Sequence, residues 1–251
     1  MLDPKTEKAV AQVAEEAKAA FGQDLVSVVL YGSAAGDDFV AGRSDLNVAI
    51  VLEQLGVAHL QALRPCLPKW HKLGVAAPLM LDRRFLDRGR DVFPMEFLDI
   101  KAQHRLLHGE DVFGGLPIDS RHLRYQSEHE ARGKLLRLRL LYAETGGSRK
   151  RLEAMLLEST ATFLVIMRNL IRLRTAQAHT RSLAVLDQFE EHFGVSFPTM
   201  RQLVRIKQGT AQWTTGADET FSAYHGEVER LVDLIDRMLP EGAPAQAGTG
   251  S

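Results

Sequence analysis

The chain has 251 residues, of which 45% are apolar and 25% charged, so it can build one large or two modest domains around a substantial core. Its formal net charge of -1 gives no overall field that would recruit nucleic acid or a membrane, and its single cysteine, Cys66, excludes an intrachain disulfide and a multi-cysteine zinc site. No signal-like segment follows Met1 and no run of about 18 apolar residues occurs, which predicts a soluble, cytoplasmic protein.

The N-terminal segment is predicted to be a helix that leads into a strand. Asp3 and Pro4 are typical of a helix start, and apolar residues at helical spacing extend the helix to Phe21. An apolar strand follows at 25–31. A short helix is then predicted at 34–38, a loop at 39–44 and a second apolar strand that ends at Leu52.

The turn between these two strands carries the candidate site. Gly32 lets backbone N–H groups approach an anion closely, and Ser33 stands at the start of a helical turn, where unpaired amides favour phosphate. Asp45 and Asn47 are two residues apart on a strand, so their side chains leave the same face. The pattern predicts a phosphate-binding turn that faces a pair of metal ligands.

Alternating helices and strands are predicted between residues 57 and 113, which indicates a small mixed sheet. The pattern favours a helix at 57–73 that Pro65 and Pro68 interrupt, strands at 76–81 and 93–100, and a short helix at 101–107. The strand at 93–100 would surround Glu96 with apolar neighbours, where an unpartnered carboxylate is costly. That cost predicts a functional role, and a solvent-facing edge position is the alternative. Asp99 lies on the opposite strand face and replaces Glu96 if the register differs.

After Ser120 the apolar period becomes helical, and Gly and Pro residues separate the segments. Five bundled helices are predicted, at 123–143, 149–174, 181–193, 199–209 and 217–239. The chain is therefore predicted to be an α+β protein. Its expected parts are a mixed-sheet domain at 1–118, an all-α helical bundle at 119–239 and a disordered tail at 240–251.

The Gly-Ser pair and the Asp45-Leu46-Asn47 strand resemble the signature of the nucleotidyltransferase superfamily, the DNA polymerase beta-like fold. That signature ends in Asp-x-Asp, whereas this chain has Asn47. Pro94-Met95-Glu96 is similar to the Pro-Leu/Met-Glu of aminoglycoside adenylyltransferases, whose Glu is the proposed catalytic base. The resemblance implies that Gly32 and Ser33 bind ATP or another nucleoside triphosphate. It implies Mg²⁺ or Mn²⁺ on Asp45, Asn47 and Glu96, with Glu96 as the base.

The resemblance also implies the reaction, which is adenylyl transfer from Mg-ATP to a hydroxyl of a small-molecule acceptor of aminoglycoside type. Asn47 brings no charge to a metal, so reduced activity is expected. Two other functions stay open: a catalytically inactive nucleotide-binding or regulatory protein, and a transferase that modifies protein or RNA. The sequence does not indicate the oligomeric state.

Charge is unevenly distributed along the chain. Residues 120–181 hold 13 basic and 5 acidic side chains, a net charge of +8. Arg132, Lys134, Arg137 and Arg139 either form the solvated side of a helix or hold triphosphate in a cleft between the domains, and they offer nucleic acid its only route of binding. A polycationic acceptor would instead need carboxylates, for which the candidates are Glu128, Glu130, Glu190, Glu191, Glu227 and Glu229.

Overall fold

The chain divides into two units, of which the first ends at Ile118 and the second begins at Asp119. The computed structural model describes residues 2–36, 45–175 and 177–238. The loop predicted at 39–44 and the tail predicted at 240–251 lie outside the described residues. Within the described part, the first unit holds every strand and the second is helical, which confirms the predicted α+β class.

The first unit is built on a four-stranded mixed sheet of order β3-β2-β1-β4. Strand β1 runs antiparallel to both neighbours, β2 and β4, whereas β3 runs parallel to β2. The strands are β1 (Leu25–Tyr31), β2 (Asn47–Leu52), β3 (Leu79–Asp82) and β4 (His104–Gly109). The helices are α1 (Pro4–Phe21), α2 (Val57–Leu63), α3 (Leu67–Lys72), α4 (Arg83–Gly89) and α5 (Pro94–Ala102).

The predicted order of the last strand and helix of this unit was wrong. Residues 93–100, expected to be a strand, form helix α5, and the short helix expected at 101–107 is replaced by β4. Pro94 occupies the first helical position, where its fixed φ and missing N–H are tolerated. Phe97 and Ile100, one turn apart, then bury against the sheet.

Helices cover both faces of the sheet. One face packs Val28, Leu30 and Ile50 against α1, whose buried side includes Val10 and Val13. On the opposite face, Val29, Ala49 and Val51 of the same strands pack in one buried cluster with Phe97 and Ile100 of α5. We call the second surface the α5 face. Because side chains alternate along β2, the residues at 47, 49 and 51 share it.

The second unit consists of five helices, with bounds close to those predicted. They are α6 (Ser120–Glu144), α7 (Arg149–Arg172), α8 (Ser182–Phe193), α9 (Pro198–Lys207) and α10 (Ala217–Arg237). Helix α7 contacts the other four and is the central helix. It is long and apolar enough to cross a membrane by length and composition, but 56% of its most apolar stretch is buried among its neighbours. Its apolar character therefore fits a core helix.

Candidate functional site

The candidate site lies where the central strand β1 ends. Tyr31, the last residue of β1, pairs with Asn47 on β2 and with His104 on β4. A 3₁₀ turn over Gly32–Ala35 follows directly. We call residues 32–36 the Gly-Ser turn. Both neighbouring strands extend to this end of β1. The turn therefore leaves the sheet at the end of an inner strand, between β2 and β4.

Gly32 is required by the shape of this turn. Its φ of +74° is in the left-handed region, and a Cβ there would lie 3.4 Å from the Asn47 Nδ2. Its N–H donates to the carbonyl oxygen of Gln103 at 3.0 Å. This N–H therefore helps to hold the fold and is not available to a phosphate, which leaves Ser33 as the candidate phosphate ligand of the predicted pair.

Asp45 and Asn47 lead into the α5 face, on the same side as Ala49 and Val51. The Asp45 side chain is exposed and Asn47 is half-buried. The segment that leads into β3, on the other side of β2, places no carboxylate beside Asn47. Its register places Val75 beside Leu46 and Leu79 beside Ala49, so the residues next to Asn47 are Ala76 and Ala77.

Glu96 lies on helix α5 and not on a strand. It is exposed, so the expected cost of burying its carboxylate does not arise. Asp99 was expected on the opposite strand face, but on a helix residues 96 and 99 share one side. Helix α5 itself packs on the α5 face through Phe97 and Ile100. Glu96 therefore belongs to the helix layer on the same side of the sheet as Asp45 and Asn47.

Helix α5 ends at the Gly-Ser turn, because Gln103 is its C-cap and accepts the Gly32 N–H. Glu96, Asp99 and Gln103 are spaced three and four residues apart, which aligns them along one side of the helix. At a rise of about 1.5 Å per residue, Asp99 lies about 6 Å and Glu96 about 10 Å along the axis from Gln103. Asp99 is thus one turn closer to the Gly-Ser turn.

Around the turn, four polar side chains make no hydrogen bond to any residue that the structure describes: Ser33, Asp45, Asn47 and Gln103. By contrast, His104 beside them is used by the fold, because its Nε2 meets the Asp111 carboxylate at 3.0 Å. None of the four residues is buried, so their polar groups meet water and stay available to a ligand. Four unused ones at one edge of a sheet mark a place where a ligand can supply them.

These residues fit one magnesium ion that is bound mainly by a nucleotide. In the described residues there is no group of three or more His, Cys, Asp or Glu side chains arranged as a metal site. Magnesium commonly keeps several waters and takes one or two protein carboxylates plus substrate phosphates. Asp45 could supply the carboxylate and Asn47 a neutral amide oxygen, so these two residues together would bring one negative charge to a metal.

The basic segment is largely neutralised inside the helical unit. Arg132 contacts Asp236 at 2.7 Å, Arg139 contacts Glu229 at 2.9 Å, and Lys134 contacts a carboxylate on its own helix. Five of the six carboxylates predicted to hold a polycationic acceptor also have partners within the helical unit, and Glu191 is exposed. Of the six, Glu128, Glu130, Glu190 and Glu229 form ion pairs and Glu227 accepts two backbone N–H groups.

Gln103 was not among the predicted site residues. Its position depends on the antiparallel pairing of β1 with β4, which brings together residues 31 and 104. A local pattern of hydrophobicity does not contain that pairing. The one sequence signal was Gly36, because a glycine after the Gly-Ser pair can mark the close approach of another group.

No protein-family model matches the chain, and no curated protein matches it in sequence. The fold, an α+β unit followed by a helical unit, nevertheless has a counterpart among solved structures. The chain is similar to the crystal structure of spectinomycin adenyltransferase AAD(9) from Enterococcus faecialis with ATP and spectinomycin. The TM-score is 0.56 at 10% sequence identity, over 89% of this chain and 99% of that one. At this identity the likeness concerns the fold.

Proposed function

We propose that the protein transfers an adenylyl group from Mg-ATP to a hydroxyl of a small acceptor of aminoglycoside type. The observation that carries the proposal is a set of polar side chains that bond to no described residue: Ser33 in the turn after β1, Asn47 beside the end of β1, and Asp45 two residues before Asn47. Support comes from the likeness to a structure determined with ATP and spectinomycin.

Each residue has a role in this reaction. The Ser33 hydroxyl donates to a phosphate oxygen, and Asp45 and Asn47 would hold the magnesium that travels with the nucleotide. Bound magnesium would neutralise charge that builds on the phosphate oxygens. The acceptor oxygen attacks the α-phosphorus, the bond to pyrophosphate breaks, and Glu96 accepts the hydroxyl proton. Asp99, one turn nearer to Gln103, is the alternative base.

A second candidate function is nucleotide binding without turnover, and a specific observation favours it. The amide of Asn47 brings no charge, and the adjoining strand offers only Ala76 and Ala77 at this level. A nucleotidyl transfer site with one certain carboxylate would stabilise the developing charge poorly. This candidate predicts saturable ATP binding and no release of pyrophosphate.

The test is incubation with ATP labelled at the α-phosphate, Mg²⁺ or Mn²⁺, and acceptors that range from polycationic aminoglycosides and spectinomycin to neutral sugars. Label in the acceptor together with stoichiometric pyrophosphate supports the transferase. Saturable binding without pyrophosphate supports the second candidate. Label in protein or RNA, with binding that weakens steeply as salt rises, supports the macromolecular alternative through the basic helices. A protein that binds no nucleotide contradicts all three.

A further inference from the structure

We propose that the side-chain amide of Gln103 binds the triphosphate at the Gly-Ser turn. The inference rests on the proposed nucleotide site and adds to it a ligand from the junction of α5 and β4. Gln103 is held there by its own main chain, because its carbonyl oxygen accepts the Gly32 N–H at 3.0 Å. The next residue, His104, pairs with Tyr31. The position of the Gln103 Cα is therefore fixed relative to the turn.

The Gln103 side chain lies directly over Gly36. A Cβ on Gly36 would be 2.4 Å from the Gln103 Nε2 and 3.1 Å from its Cδ, so a side chain there would displace the amide. Gly36 has a φ of -119°, which any residue can adopt. The glycine is thus explained by the room that it leaves for Gln103 and not by backbone strain.

This amide is half-buried and makes no hydrogen bond to a described residue. A side-chain amide offers two donors and an acceptor, and no described residue uses those of Gln103. A phosphate oxygen would accept from the amide N–H. Since glutamine is neutral and does not titrate, the contact neither repels a triphosphate nor depends on pH.

The test measures ATP, ADP and adenosine binding to the full chain by calorimetry in the presence of Mg²⁺. We expect Gln103→Leu to keep the main-chain bond to Gly32 and to bind ATP about tenfold more weakly, which corresponds to about 1.4 kcal/mol. Adenosine affinity should not change. Gln103→Glu should weaken ATP binding further, because its carboxylate faces the phosphates.

Gly36→Ala supplies an independent arm. It should displace the amide and reproduce the loss seen in Gln103→Leu, and the double variant should be no weaker than either single one. The matched controls are Gln61→Leu, an exposed glutamine on α2, and Gly115→Ala, where a Cβ meets nothing within 4 Å. Both controls should bind like the wild type.

Three results overturn the inference. If the wild type binds ATP and every Gln103 and Gly36 variant binds it equally well, the amide is not a ligand, although the proposed nucleotide site stands. Equal losses for ATP and adenosine would place the effect in the base site or in the fold. A wild type that binds no triphosphate removes the proposed function and this inference together.

Discussion

The two units use their polar side chains in opposite ways. In the helical unit, two buried polar side chains are satisfied internally: Glu227 accepts from the N–H groups of Thr199 and Met200, and the Tyr224 hydroxyl meets Ser159 at 2.9 Å. At the end of β1 the corresponding groups are unused in the described structure. Polar side chains of the first kind stabilise the fold, whereas those of the second kind can bind a ligand. Mutations in the two regions should therefore change different measured quantities.

The largest effect is expected from Asp45→Ala. Asp45 lies just before β2, and its carboxylate would be the charged ligand of the proposed magnesium, so its loss should lower transfer by about 1,000-fold, or about 4 kcal/mol. The free energy of unfolding should stay unchanged, because the side chain is exposed and bonds to no described residue. Steady-state pyrophosphate release and urea unfolding measure the two quantities.

The control for Asp45→Ala is Asp91→Ala, an exposed aspartate in the same unit but outside the candidate site. It should change neither quantity. If Asp45→Ala destabilises the protein while the remaining folded molecules transfer normally, Asp45 is a structural residue and the comparison between the units fails at its main point.

The opposite pattern is expected for Glu227→Ala. Glu227 is 2% exposed and caps the start of α9, so truncation leaves two backbone N–H groups without an acceptor. We expect the free energy of unfolding to fall by about 3 kcal/mol, with ATP affinity unchanged. Urea titration followed by circular dichroism measures the loss.

Two variants sharpen this result. Glu227→Gln keeps one acceptor oxygen and should lose about 1 kcal/mol. Glu191→Ala removes an exposed carboxylate from α8 and should have almost no effect. Loss of ATP affinity in a fully folded Glu227→Gln protein would mean that the helical unit also contributes a ligand group through this residue.

The same division explains what the sequence could predict. The helices of the second unit were predicted closely because apolar periodicity and Gly or Pro breaks are local signals. Strands β1 and β2 were predicted for the same reason. Residues 93–109 were assigned to the wrong elements because Glu96 and its neighbours fit either period, and packing of Phe97 and Ile100 on the sheet decides between them.

The sequence predicts only those candidate site residues that lie close together along the chain. Ser33, Asp45 and Asn47 come from one β1–turn–β2 segment, and the structure places Asn47 beside the end of β1. Gln103 depends on contacts across about 70 residues, and the exposure of Glu96 depends on the element that carries it. A local sequence pattern contains neither the position of Gln103 nor the exposure of Glu96, so both became known only from the folded structure.

Asn47→Asp is expected to increase turnover by a moderate factor. The added carboxylate would give magnesium a second charged ligand on the same strand face, so a transferase should gain about tenfold in turnover, or about 1.4 kcal/mol. The measurement is pyrophosphate release at several Mg²⁺ concentrations, with Asn47→Ala as the matched control. Unchanged turnover in both variants would mean that position 47 holds no metal.

The smallest effect is expected in the pH dependence of stability. Burial raises the pKa of the Glu227 carboxyl above its ordinary 4.5, and the N–H groups of Thr199 and Met200 only partly oppose this shift. The folded protein therefore binds this proton more tightly than the unfolded chain. The resulting contribution to the free energy of unfolding is full below pH 4.5 and is lost as pH rises through the pKa of the folded state. The difference in unfolding free energy between wild type and Glu227→Gln should thus shift against the wild type from pH 4 to about pH 7. A shift in its favour would mean that the two backbone donors outweigh burial, and Glu227 would then act mainly as a charged cap of α9.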